Sequence, residues 1–125
     1  MAFAATNRAE EAISFYRDSL GLRLLADEPF ALVFEANGTM LRIQKTTNWT
    51  PPEFTVLGWE VSDIRQAISA LTAKGVKFMR VPSLSQDDLG IWSPDVRTMV
   101  AWFRDPDGNI LSLTEFAAID GEQQP

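Results

Sequence analysis

The feature that most narrows the fold is a repeat. Read by hydrophobic period and turn residues, the 125-residue chain writes one string twice: a strand, a helix, then three strands. In the first half Ala2–Thr6 reads as a short strand. Asn7 offers an N-cap, with Glu10 three residues on as in a capping box. Ala9, Ala12, Ile13, Tyr16 and Leu20 keep helical spacing, which predicts a helix over about 8–19 ended by Gly21. Leu22–Ala26 reads as a strand and Pro29 as a turn. Phe30–Glu35 and Thr39–Lys45 form a hairpin across Ala36-Asn37-Gly38. The polar, proline-rich stretch 46–53 links the halves.

The second half repeats the plan. Phe54–Val61 is a strand. Ser62 caps a helix that carries Ile64, Ile68 and Leu71 on one face and stops at Gly75. Val76–Val81 is a strand, followed by a loop through Pro82, Asp87-Asp88, Gly90, Trp92 and Pro94. Thr98–Arg104 and Asn109–Phe116 are strands around the tight turn Asp105–Gly108, a better reading of that turn than a calcium loop, which needs more oxygens. Residues 117–125 read as a tail. Ala12-Ile13-Ser14 recurs as Ala67-Ile68-Ser69 at the same place on each helix. One helix for four strands covers one face of each sheet, so the uncovered faces must meet or curl. The expected architecture is α+β: tandem βαβββ modules, about 2–45 and 54–116, forming an incomplete barrel of mixed sheet around a cleft within a single domain.

Histidine and cysteine are both absent. That removes the usual ligands of zinc, nickel and copper, the usual acid–base catalyst near neutral pH, and the common nucleophilic triads. No metal, no cofactor and no catalytic residue is assigned. The net charge of −6 argues against a nucleic-acid partner, which is held through clustered lysine and arginine. No apolar run is long enough for a membrane span, and no secretory signal is visible, so a cytoplasmic protein is expected.

Four segments carry a family resemblance. Phe15-Tyr16-Arg17-Asp18-Ser19-Leu20-Gly21-Leu22 resembles the segment closing the first helix of vicinal-oxygen-chelate proteins, the superfamily of glyoxalases, bleomycin-resistance proteins and extradiol dioxygenases. Glu60–Ile64 resembles the strand-to-helix junction of their second module, and Ala73–Val76 the end of that helix. Trp102–Leu113, with Asp105-Pro106-Asp107-Gly108-Asn109, resembles their last hairpin. The resemblance implies the paired-module fold and a homodimer, often with modules pairing across subunits. It implies metal-ligand positions near Met1, Arg42, Val56 and Ser112, none of which suits a transition metal. Gln44 and Glu115 lie close by in sequence.

Strand alternation phased on those positions turns Met40, Arg42 and Gln44 to the cleft, with Leu41 and Ile43 under the helix. Phe54, Val56 and Gly58, and likewise Ile110, Ser112 and Thr114, face the cleft. Arg42 reads either as a salt bridge to Glu60, Glu115 or a partner subunit, or as a clamp for an anionic ligand. Trp49 and Trp92, in loops, should cover either a dimer partner or an aromatic ligand. Asp87, Asp88 and Asp95 form an acidic surround for Trp92 or a solvated loop. Tyr16 reads as core. The expected ligand-binding set is Arg42, Gln44, Trp49, Val56, Trp92, Ser112 and Thr114. The function expected is metal-free binding of a small organic molecule, as bleomycin-resistance-type proteins do. Two alternatives stay open: a glyoxalase-like lyase, isomerase or dioxygenase using a weakly held metal or a carboxylate base (Glu60, Glu115 or Asp63), and a protein-interaction module.

Overall fold

A computed structural model describes residues 1–117. The expected tail, but for Ala117, lies outside the described residues. Strand β1 (Ala2–Thr6) leads to helix α1 (Ala9–Ile13), which runs on as a π-helical stretch, Ser14–Ser19. Strands β2 (Arg23–Asp27), β3 (Ala31–Ala36) and β4 (Thr39–Lys45) complete the first module. The second holds β5 (Thr55–Glu60), α2 (Ile64–Ala73), β6 (Trp92–Asp95), β7 (Thr98–Arg104) and β8 (Ile110–Phe116). Two four-stranded sheets result, in the orders β1-β4-β3-β2 and β5-β8-β7-β6. In each, the first strand pairs parallel with the last and the other pairs are antiparallel. The modules adjoin mainly where β1 meets β5, and the sheets do not close into a barrel.

Local chemistry explains most of the element ends. Asn37 and Gly38, with φ of 50° and 82°, make the hairpin turn that an Asn-Gly pair favours. Gly21, at φ 75°, lets the chain leave the helix. In the π-helical stretch the Leu20 N–H reaches the Phe15 carbonyl at 2.9 Å. The wider turn lets consecutive Phe15 and Tyr16 both pack inward, their rings 5.2 Å apart edge to face.

Three expectations need correction. The capping box at Asn7 does not form: the Asn7 N–H donates to Asp107 of the other module, and the Arg8 N–H to the Thr6 hydroxyl. Helix α2 is capped by Asp63, not Ser62, its carboxylate accepting from the Gln66 N–H at 3.1 Å. Glu115 adds a second acceptor for the first turn, at 2.8 Å from the Ile64 N–H. Val76–Val81 is not a strand; it touches β7 through one bridge, Phe78 to Phe103. Its backbone is satisfied instead by Gln86, which bonds Val81, Met79 and Gly90, while Arg80 donates to the carbonyls of Asp87 and Asp88. The fourth strand of that sheet is β6, which lay within the expected loop.

The helix-side faces of both sheets share one core. Leu32, Phe34, Leu41 and Ile43 come from the first sheet, and Ala101, Phe103, Leu111 and Leu113 from the second. Tyr16 lies between, 5.6 Å from Phe34 by ring centroid, and Phe15 is 6.1 Å from Phe103. Burying these side chains stabilises the fold by about 1.5–3 kcal/mol each.

A buried polar cluster ties the modules together. The Tyr16 hydroxyl donates to Asp105 at 2.6 Å, and Asn109 Nδ2 donates to the same oxygen at 2.8 Å. The other Asp105 oxygen accepts the Asp107 and Asn109 N–H groups, both at 2.9 Å. Asn109 Nδ2 also reaches the Ala5 carbonyl at 2.9 Å, and the Thr6 hydroxyl donates to Asp107. The linker folds onto this turn: the Trp49 indole N–H donates to Asn109 Oδ1 at 2.9 Å, and Pro51 packs over Gly108. Among the described residues every buried side-chain polar atom has a partner.

Burial, the largest cause, raises the Asp105 carboxyl above the usual carboxylate range against the pull of its donors. A raised folded value means that this group's contribution is fully present below the unfolded pKa and is lost as pH rises through the folded one. Asp105→Asn turns an amide N–H against existing donors and is expected to cost about 1–3 kcal/mol in urea unfolding. The gap between wild type and variant should widen as pH falls from neutrality through the Asp105 titration. A gap that narrows instead would show that the carboxyl is not raised.

Candidate binding face

The faces of the sheets turned away from the core carry most of the expected ligand-binding residues. On β4, Met40, Arg42 and Gln44 alternate with buried Leu41 and Ile43. Arg42 stands between Phe3 on β1 and Val33 on β3. Its guanidinium lies 3.5 Å from Glu28, in the turn between β2 and β3, rather than near Glu60 or Glu115. Both partners are more than a third exposed, so the pair is worth about 0–1 kcal/mol and is easily exchanged for a ligand anion.

On the second sheet Gly58, Ser112 and Trp102 form one row across β5, β8 and β7. Glu60, Thr114, Val100 and Trp92 form the next, ending on β6. Trp92 and Trp102 pack with ring centroids 5.9 Å apart and planes at 31°. Of the consecutive Trp102 and Phe103, alternation along β7 turns one to each face, and the sequence alone does not say which. Phe103 is fully buried and Trp102 half-buried on the open face. The signal was present: Trp102 pairs with Ser112 and shares its phase.

Gly58 leaves space for the Ser112 hydroxyl at the floor of this row. A Cβ on Gly58 would stand 2.6 Å from Ser112 Oγ, too close for any real contact. The bare backbone leaves room for the hydroxyl to lie over β5 at Gly58. Thr114, Trp92 and Ser112 therefore share one patch, while Arg42 and Gln44 lie beyond β1 and β5.

Two members of the expected set sit elsewhere. Val56 is at a bulge in the β5–β8 pairing and packs against the core. Trp49 is at the module junction, its indole N–H taken by Asn109. The acidic loop is largely self-satisfied. Asp87 accepts the N–H groups of Leu89 and Ile91 at 2.9 Å each, and Asp95 accepts that of Arg97 at 2.8 Å. These backbone bonds hold both carboxyls below their ordinary range; for Asp87 burial, the largest single cause, pulls the other way.

The positions that correspond to family metal ligands offer a thioether, a guanidinium, an isopropyl group and a hydroxyl, at Met1, Arg42, Val56 and Ser112. They do not fit a metal ion. Among the described residues no group of three His, Cys, Asp or Glu side chains is placed to hold one. The carboxylates considered as bases are occupied in part: Asp63 and Glu115 both cap α2, leaving Glu60 at the end of β5.

The sequence matches the family model of the glyoxalase/bleomycin resistance protein/dioxygenase superfamily over residues 2–113. No curated protein matches it. Among solved structures, it is similar to a glyoxalase/bleomycin resistance protein/dioxygenase from Alicyclobacillus acidocaldarius, at TM-score 0.71 and 17% identity over 91% of this chain and 87% of that one. A glyoxalase family protein from Enterococcus faecalis gives 0.69 and 23%, over 92% and 94%. TnmS3, an antibiotic binding protein from Streptomyces sp. CB03234, gives 0.68 and 23%, over 92% of each chain.

The Gly58–Ser112 contact is testable by a double-mutant cycle. Gly58→Ala is expected to cost about 1–3 kcal/mol by overpacking. Adding Ser112→Ala should recover most of it, giving a coupling of at least about 0.5 kcal/mol. Strict additivity would show that the two residues do not touch.

Proposed function

The chain belongs to the glyoxalase/bleomycin resistance protein/dioxygenase superfamily, and within it we propose that this protein binds a small aromatic organic molecule on the open face of its sheets, without a metal ion. The observation that carries the reading is the Trp92–Trp102 pair beside the Gly58–Ser112–Thr114 floor. Paired indoles over a flat polar floor suit a planar ring, which stacks or packs edge-on while hydroxyls fix its orientation. Arg42, loosely paired with Glu28, supplies a charge for an acidic group of the ligand. The antibiotic binding protein among the structural relatives supports a binding role for the fold. The occupied Asp63 and Glu115 weigh against either one as a general base.

The site is completed in this reading by a second copy of the chain. Phe3 at 64% exposure, Met40 at 37% and Phe116 at 58% lie on the same open faces. Leaving such side chains in water costs about 1.5–3 kcal/mol each if they can instead be buried, which favours a homodimer. No helix among the described residues is long and apolar enough to cross a membrane. The setting we propose is the cytoplasm, with no nucleic-acid or membrane partner.

A panel of planar aromatic compounds, polycyclic antibiotics included, should quench tryptophan fluorescence saturably. Trp92→Ala is expected to weaken the best of them at least about tenfold, and Ser112→Val by a smaller factor. Equal affinity in wild type and Trp92→Ala would sink the proposal. Sedimentation should give a dimer for the wild type and a monomer for Phe3→Asp with Phe116→Asp; a monomeric wild type would remove the second copy from the site.

A further inference from the structure

Two cavities open on the opposite side of the molecule, along the seam between the C-terminal ends of its two helices. The larger, about 640 Å³, has an apolar floor that includes Leu22, Trp59, Leu71 and Leu113. The smaller, about 460 Å³, is lined by Phe15, Val76, Phe78 and Met79 among others. Both fall within the range of about 300–1,000 Å³ usual for small-molecule sites. None of Arg42, Gln44, Trp92, Ser112 or Thr114 lines either one. Ser19 and Lys74 line both, so the cavities are neighbours. The Lys74 ammonium lies at their boundary and donates to the Asp18 carbonyl at 3.2 Å. Exposed, held by one carbonyl and near the Asp18 carboxylate that Arg17 already pairs, it can exchange that bond for an anion.

The distribution of charge gives the seam a polarity. The chain carries a net charge of −6 and has three lysines, of which Lys74 and Lys77 line the smaller cavity. Neither makes an ion pair among the described residues. The carboxyl that lines this cavity, Asp105, is 6% exposed and its oxygens are taken by Tyr16, Asn109 and backbone N–H groups. The nearby Asp18 carboxylate is held by Arg17 at 2.9 Å, and Arg104 donates to the Gly108 carbonyl. At the rim of the larger cavity Glu35 is paired with Arg23 at 3.6 Å, and Glu60 has no cation partner among the described residues. An anionic head is drawn to the lysines and repelled from Glu60, while the floor between them is apolar.

We propose that this seam is a second binding site, for an elongated amphipathic carboxylate whose head lies at Lys74 and Lys77 and whose apolar chain lies over Leu71 toward Trp59. Apart from Glu60, which borders both, the site shares no residue with the open face, and it stands or falls independently of the aromatic ligand proposed there.

Decanoate, titrated below its micellar concentration into the intact protein, is the probe, with decanol as its uncharged counterpart. Saturable binding of one decanoate per chain is expected, with a chemical-shift change at the Trp59 indole. Lys74→Glu with Lys77→Glu should weaken decanoate at least about tenfold and leave decanol unaffected. Lys74→Gln with Lys77→Gln, milder for folding, should shift affinity in the same direction by a smaller factor. Trp92→Ala should leave decanoate affinity unchanged. No binding by the wild type, or equal affinity in both lysine variants, overturns the proposal. So does a decanoate affinity that falls with Arg42→Ala rather than with the lysines, since the anion would then lie on the open face.

Discussion

The fold depends most on one carboxylate. Asp105 sits in the last hairpin and accepts four hydrogen bonds, from the Tyr16 hydroxyl, the Asn109 amide and two backbone N–H groups. Two of these shape the turn itself. The Tyr16 bond crosses to the first helix, and Asn109 carries the connection on to the first strand and the linker. Because the cluster is buried, losing any partner leaves a donor or acceptor without water to replace it. Burial also raises the Tyr16 hydroxyl well above its ordinary value, with the Asp105 charge adding to it, so the hydroxyl stays a donor across the physiological range. The apolar core supplies bulk stability, but this cluster fixes how one module sits on the other.

The cluster also accounts for what was legible in the sequence. Elements governed by local rules came through: the hairpin at Asn37-Gly38, β4 at Thr39–Lys45 and β7 at Thr98–Arg104 lie where the pattern placed them. Strand phase was legible too, since Leu41 and Ile43 are buried while Arg42 is not. Features set by distant partners were hidden. Asn7 looked like a cap, but its N–H is claimed by Asp107 one hundred residues away. Val76–Val81 has strand composition, yet Gln86 and Arg80 satisfy or bind that region more locally than a ladder would. Asp105-Pro106-Asp107-Gly108 was read as a turn, which it is, and Asn109 as the start of the last strand, but nothing in a single sequence says that the side chains of Asp105, Asp107 and Asn109 reach across to the other module.

The proposed binding residues divide along the same line. Arg42, Gln44, Ser112 and Thr114 follow from alternation, a local property. Trp92 lies on β6, which the sequence hid, yet its pairing with Val100 puts it in register with Thr114. Trp49 belongs to the junction: an indole in a loop satisfies its N–H wherever a buried acceptor waits, and here that acceptor is Asn109.

The span of these junction bonds bears on how the chain reaches its final form. Asn109 bonds the Ala5 carbonyl across 104 positions, and Thr6 bonds Asp107 across 101. Closing loops of that length costs entropy that local contacts cannot recover. During synthesis the first strand emerges long before Asp107 and Asn109 exist. Until the last hairpin leaves the ribosome, the hydroxyls of Tyr16 and Thr6 lack the carboxylates that accept from them. Docking of the two halves is therefore tied to the synthesis of the last hairpin: a chain cut short before Asp105 can still pair β1 with β4, but it lacks the bonds that fix one half on the other.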